Sequence, residues 1–241
     1  MTHVLDNPVW DALTGPQAAL GERNALAARY RPSISPMAAL KDPTEAALDA
    51  LATLMFERAP RAGGDDLAIV LTSAPRLPDI PALRCARTVA LHQMWCSEPC
   101  TPMPVDAVAL GDADVPDMLA LVRLTEPGPF APRTIEFGGY FGVREGSSGR
   151  LLAMTGERVR PPGWSEVSGV CTHPDGRGKG YAYALVAKVT NAIIARGERA
   201  FLHVAVGSPS ELGAMRVYER AGFTERCAMH IHAFVRANRG R

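Results

Sequence analysis

No apolar run in the chain approaches the ~20 residues that a membrane span requires, so no membrane partner is expected. Cysteines number only five, an odd count at irregular spacing. That argues against a disulfide framework and for a reducing compartment. Charge of one sign is missing too: 26 Lys and Arg stand against 25 Asp and Glu, a formal net of +1. With aromatics at 6%, no basic surface interleaved with aromatic rings is available to hold a nucleic acid. The first residues, "MTHVLDNPVWDALTG", are acidic and broken by proline, unlike a signal peptide. A cytoplasmic protein is the expectation. Low-complexity tracts and short repeats are also absent.

What is present is ordinary globular material, 241 residues of which 47% are hydrophobic, enough for one large domain or two small ones. The first hundred residues are the less legible part. "DPTEAALDALATLMFERAP" predicts a helix capped by Asp42, with Pro43 at its first position, Leu48, Leu51 and Met55 on one face, and Pro60 as its stop. "LAIVLTS", residues 67 to 73, reads as a buried strand, and a proline-rich connector follows. A domain boundary is expected near residue 103, dividing a region 1–103 from a domain 104–241.

From residue 105 the punctuation is regular. "VDAVAL" reads as a strand and "DVPDMLALVRLT" as a helix with Met118, Leu119 and Val122 on one face. "GGYFGVRE" and "GRLLAMTGERVR" read as strands of a hairpin turning at Gly146-Ser147-Ser148-Gly149, and "WSEVSGVCT" as a third strand. A helix with Leu185, Val189, Ala192 and Ile193 inward then runs to Arg196, closed by Gly197. Strand "RAFLHVAV", helix "SELGAMRVYERAG" and strand "HIHAFVR" complete an α/β pattern, a mixed sheet with helices on both faces.

Between the third strand and its helix lies "THPDGRGKGYA". Gly178 to Ala182 form a first helical turn whose amides lack intrahelical partners, small residues leave them open, and Arg177 and Lys179 add full charges. Such a turn suits a pyrophosphate; the bland alternative is a helix start that happens to be rich in glycine. It is neither a Walker A loop nor a dinucleotide fingerprint.

Arg177-Gly178-Lys179-Gly180-Tyr181-Ala182, with "RVYERAGF" at 216 to 223, resembles the Q/R-x-x-G-x-G/A loop and late tyrosine helix of the GNAT superfamily of N-acetyltransferases. The resemblance spans about residues 105 to 236. "EVSGVCTHPDGRGKGYA" also looks like uncharacterised members similar to glycine acyltransferases. In that branch an N-terminal half can be a degenerate copy of the fold, which would account for 1–103. The resemblance implies acetyl-coenzyme A or another acyl-coenzyme A as co-substrate, no metal, and a small-molecule or peptide amine as acceptor. A homodimer is compatible with it. It places the coenzyme on Val170, Cys171, Thr172 and residues 177 to 182, with the Val170 or Cys171 amide polarising the thioester oxygen. Glu211 stands where the family often has asparagine, seven residues before the tyrosine.

Acyl transfer to an amine needs a base, an oxyanion donor and help for the leaving thiolate. Glu166 is the candidate base, at the spacing from Arg177 that the histone-modifying members use; flanked by Trp164 and Val167, its pKa would be raised by desolvation. By alternation it shares a face with Ser168, Val170 and Thr172. The bland alternative is a solvent-facing strand glutamate, and His173 is a second candidate base. Tyr218 is the candidate acid, or else a packed ring. Cys171 reads as an inert strand thiol. Phe130, Phe137 and Tyr140 are expected to wall the acceptor pocket, with Arg133 and Glu136 near it. His230 with His232, and His92 with Cys96 and Cys100, are weak metal patterns. A non-catalytic acyl-coenzyme A sensor is the alternative function.

Overall fold

The computed structural model describes residues 3–56, 67–146 and 148–237. Pro60 and Ser147, expected as a helix stop and a turn residue, lie outside them. The chain forms two compact units, Met1–His92 with Arg160–Pro162 and Ala228–Arg241, and Gln93–Val159 with Gly163–Cys227. They do not divide at residue 103. Long strands carry the chain from one unit to the other, and the C-terminal residues return to the first.

In the first unit, α1 (Pro8–Thr14), β1 (Gly21–Arg23), β2 (Ala27–Tyr30), β3 (Met37–Leu40), α2 (Glu45–Phe56), β4 (Ala68–Thr72) and most of β5 (Leu83–Cys96) follow in order. β3 and β4 pair in parallel, and β1–β2 and β2–β3 are antiparallel. Ala47, Leu48, Leu51, Ala52 and Met55 of α2 share a core with Ala27, Ala38, Leu40, Ala68 and Val70. The cap of α2 is Thr44 rather than Asp42: the Thr44 hydroxyl accepts from the Ala47 amide at 3.3 Å. β5 occupies the stretch read as a connector. Its inward residues do not alternate strictly, so period-2 patterning does not reveal it.

The second unit adds β6 (Ala107–Ala109), α3 (Val115–Thr125), β7 (Phe141–Arg144), β8 (Leu151–Glu157), β9 (Trp164–Thr172), α4 (Tyr181–Ala195), β10 (Arg199–Ala205), α5 (Glu211–Arg220) and β11 (Thr224–Arg236), whose later residues pair with β4 in the first unit. β6, β7, β8 and β9 form an antiparallel meander, and β10 joins β9 in parallel, so the sheet is mixed. Met118 and Leu121 of α3 pack on Met154, while Leu185 of α4 packs on Ala153. Neighbours in a strand point to opposite faces, so helices cover both. The inward residues of α3 are Met118 and Leu121, with Leu119 only half-buried, and Ala192 of α4 is likewise half-buried. Gly197 and Gly222, just past α4 and α5, have φ of 79° and 87°, the left-handed conformation that ends a helix.

One absent side chain seats the Tyr140 ring. A Cβ on Gly156 of β8 would fall inside that ring. Gly156→Ala should therefore destabilise the protein by about 1–3 kcal/mol, through overpacking, and lower its melting temperature. An unchanged melting temperature would show that Tyr140 does not occupy this slot.

Candidate active site

β9 is irregular in a way that sets the site. Its pairing with β8 runs Glu157↔Val167 and Gly156↔Ser168, then shifts to Met154↔Cys171 and Ala153↔Thr172. The extra residue forms a bulge at Gly169, whose φ is 63°. This corrects the expected alternation. Glu166 and Ser168 share a face with Cys171, while Thr172 turns to the face of Ala153 and α4. One inserted residue reverses every later side chain. On its other edge β9 pairs with β10 at Trp164↔Arg199, Ser165↔Ala200 and Glu166↔Phe201, and there the register ends. Both strands continue, so the Val167–Thr172 edge of β9 leaves its ladder with β10.

Glu166 sits where the strands part, 1% exposed. Its Oε1 accepts from Arg158 Nη2 at 2.7 Å and meets His203 Nδ1 at 2.8 Å; Oε2 accepts from Arg158 Nε at 2.9 Å and the Val159 amide at 3.3 Å. The histidine tautomer follows from its neighbours. Arg226 Nη1 donates to Gln93 Oε1 at 2.7 Å, so the Gln93 amide nitrogen faces His203 Nε2 at 3.1 Å and donates to it. Nδ1 then carries the proton and donates it to Glu166. The raised pKa expected for Glu166 is corrected accordingly. Burial pushes it up, but the Arg158 charge and hydrogen bonds, with His203, outweigh burial and hold it well below the usual carboxylate range. Trp164, expected to desolvate it, stacks instead on Trp95 with ring centroids 5.6 Å apart.

The glycine turn has the expected form. Gly178 and Gly180 have φ of 74° and 78°, and Gly180 caps α4. Ala184 donates to Gly180 O at 3.0 Å, but among the described residues no backbone carbonyl accepts from the amides of Gly178 to Tyr183. Arg177 and Lys179 are exposed, and among the described residues no carboxylate pairs with either. His173 caps the preceding turn, its Nδ1 accepting from the Asp175 amide at 3.1 Å. Glu211 accepts from the Gly207 amide at 2.6 Å.

Tyr218 is buried on α5, edge-on to Phe223, and no described residue hydrogen-bonds its hydroxyl. Burial, with a smaller contribution from Cys171, raises its pKa, so it stays a neutral donor. Burial pushes the Cys171 thiol up to about 12, too high for a nucleophilic thiolate. A shallow cleft adjoins the bulge, lined by Pro129, Phe130, Tyr140, Arg158, Ser168 and Gly169 among others. Phe130 and Tyr140 both line this cleft. Phe137 is buried in a short turn and does not line it. Arg133 and Glu136 are paired with each other. Arg158, Gln93 and His203 were not foreseen; they lie far from the loop in sequence and only the sheet assembles them.

The weak metal patterns resolve otherwise. His232 is held by Thr88 Oγ1 at 3.1 Å and Ala74 O at 3.0 Å, with His230 stacked beside it. Among the described residues no group of three or more His, Cys, Asp or Glu could hold a metal ion, and no helix is long and apolar enough to cross a membrane.

Residues 140–231 match the family model described as FR47-like protein. A solved structure described as a GNAT-family acetyltransferase from Novosphingobium aromaticivorans is 39% identical, with a TM-score of 0.84 over 98% of this chain and 100% of that one. A GCN5-related N-acetyltransferase from Kribbella flavida shares the fold at 16% identity, with a TM-score of 0.62 over 96% of this chain and 95% of that one. A search of the curated proteins finds no match.

The Glu166 pair predicts a pH-dependent stability. A carboxyl whose folded pKa lies below its ordinary 4.5 contributes fully above that value and loses its contribution as pH falls below it. Glu166→Gln should cost about 3–5 kcal/mol at neutral pH, because Arg158 loses its buried counter-charge. In denaturant melts the gap to the parent protein should narrow below pH ~4. A gap constant down to pH ~3 would show that the carboxylate is not paired.

Proposed function

The chain belongs to the GNAT family of acetyltransferases, and we propose that it moves an acetyl or other short acyl group from acyl-coenzyme A to a primary amine by direct attack in a ternary complex. One observation carries this reading: a cradle of amides and two cations, unengaged among the described residues, opens α4 immediately after the parted edge of β9. This fits a ligand with a pyrophosphate at one end and an amide-bearing arm that completes a sheet edge. The amides of Gly178 to Ala182, with Arg177 and Lys179, would hold the phosphates. The edge from Val170 to Thr172 would take the arm. The thioester supplies an acyl carbon activated toward amines.

Each group of the chain then has a role set by its state. The Val170 amide, on that edge, stabilises charge on the acyl oxygen, whereas the Cys171 amide faces β8. Tyr218 keeps its proton through the neutral range and gives it to the leaving thiolate. Phe130 and Tyr140 confine the acceptor. Glu166 accepts four hydrogen bonds, so it has no lone pair left for the amine. It acts as a positioning residue that fixes Arg158 in the cleft wall. The acceptor amine loses its proton to water in the open cleft and reacts as its neutral form.

Screening amines for thiol release from acetyl-coenzyme A tests the activity; no release with any amine overturns it. Tyr218→Phe should lower kcat by about 10²-fold with little change in coenzyme A binding. With Glu166→Gln the rate should fall without recovering at high pH, since positioning rather than proton removal is lost. Recovery toward the parent rate would make Glu166 the base.

Coenzyme A should raise the melting temperature by mass action, and Arg177→Glu should erase most of that rise by setting an anion against the phosphates. An equal rise in the variant would put the phosphates elsewhere.

A further inference from the structure

Cys96 ends β5, and Cys100 follows a short exposed loop; both thiols are buried. They meet at one atom. Cys100 Sγ donates to Ala221 O at 2.9 Å, and Cys96 Sγ lies 3.9 Å from the same oxygen. The Cys96 thiol donates to the nearer Glu98 carbonyl at 3.2 Å. Ala221 caps the C-terminus of α5, the helix that carries Tyr218. Beyond Cys100 the chain forms a strap along α4. The Cys100 amide donates to Asn191 Oδ1 at 2.7 Å, and the Cys100 carbonyl accepts from Asn191 Nδ2 at 3.0 Å. Tyr183 donates to the Thr101 carbonyl at 2.8 Å. The strap then sets the Met103 methyl against Gly180, so that a Cβ there would collide with it.

We propose that Cys96 and Cys100 are a redox-responsive pair whose disulfide weakens the acyl-coenzyme A site through the strap and the end of α5. The coupling to coenzyme A rests on the function proposed above; formation of the bond does not. A peroxide is the oxidant class. The Cys96 thiolate attacks one peroxide oxygen, the O–O bond breaks, and hydroxide leaves as water once protonated. Cys100 sulfur then attacks the resulting sulfenic acid; the S–S bond forms, the S–O bond breaks, and the Cys100 proton leaves with the oxygen as a second water. Two thiols lose two electrons and two protons, and the peroxide is reduced to two waters.

Cys96 is the first nucleophile because the neighbouring Cys100 thiol favours its anion. That influence outweighs burial and brings the Cys96 thiol down to about 7, while the Cys100 thiol is pushed up. Closing the sulfurs to the ~2.05 Å of a disulfide draws the root of the strap toward β5. It also removes the Cys100 S–H donor from the Ala221 carbonyl. Met103 and Gly180 lie at the far end of the same strap, at the N-cap of α4.

The test uses the full-length protein, reduced or treated with hydrogen peroxide, then alkylated, digested and mapped by mass. The expected product is a linked Cys96–Cys100 species, two hydrogens lighter than the dithiol. Its formation should weaken coenzyme A binding about tenfold, with recovery under a dithiol reductant. Cys96→Ala should bind coenzyme A like the reduced parent and ignore peroxide; Cys100→Ala serves the same purpose if the first variant folds poorly. Both thiols remaining open to alkylation after treatment would overturn the pair. A quantitative disulfide with unchanged coenzyme A affinity would overturn the coupling. If the reduced protein fails to bind coenzyme A, the proposed function and the coupling both fall, and the linkage map still judges the pair.

Discussion

β9 has three partners in β10 and then parts from it, because past Glu166 and Phe201 the parallel register ends while both strands run on. Backbone groups that leave a ladder need other partners, and an edge so exposed is a template for whatever can satisfy it. The bulge at Gly169 works at the same place from the other side, shifting the β8 pairing by one residue. Together the bulge and the parting determine which side chains face the cleft, which face α4, and where the glycine turn begins.

Burying a carboxylate at such a place demands compensation. Glu166 receives it from a chain of donors, Arg226 to Gln93, Gln93 to His203, His203 to Glu166, with Arg158 closing the other side. A cationic donor at the start fixes the amide, the amide fixes the imidazole, and the imidazole presents its proton to the anion. Every link has a defined direction, so the network holds β5, β9, β10 and β11 of the second unit in one arrangement. A second buried carboxylate, Glu157, is treated alike by Arg196 and by Ser165 Oγ at 2.6 Å. The glycine turn is the opposite case: its cations are exposed, and among the described residues no backbone carbonyl engages its amides.

Much of the second unit was legible because its signals are local. β9 has the bounds read from "WSEVSGVCT", α4 and α5 end at glycines in left-handed conformation, and the turn between strand and helix has the open amides its composition implied. The first unit was harder for physical reasons. β5 lacks strict alternation, the shortest strands hold three or four residues, and α2 begins at a threonine two residues past the aspartate that looked like its cap.

By itself the sequence determined the α/β class, the order of elements after residue 105 and the open glycine turn before α4. These depend on spacing within a few residues. Only the tertiary structure decided the state of Glu166, the reversal of Thr172, the exclusion of Phe137 from the cleft and the meeting of Cys96 with Cys100. The reason is one of range. A pKa is set by whichever charges and donors the fold brings within hydrogen-bond distance: His203 reaches Glu166 across 37 positions, and Gln93 reaches His203 across 110. A bulge, likewise, exists only relative to the partner strand whose register it breaks.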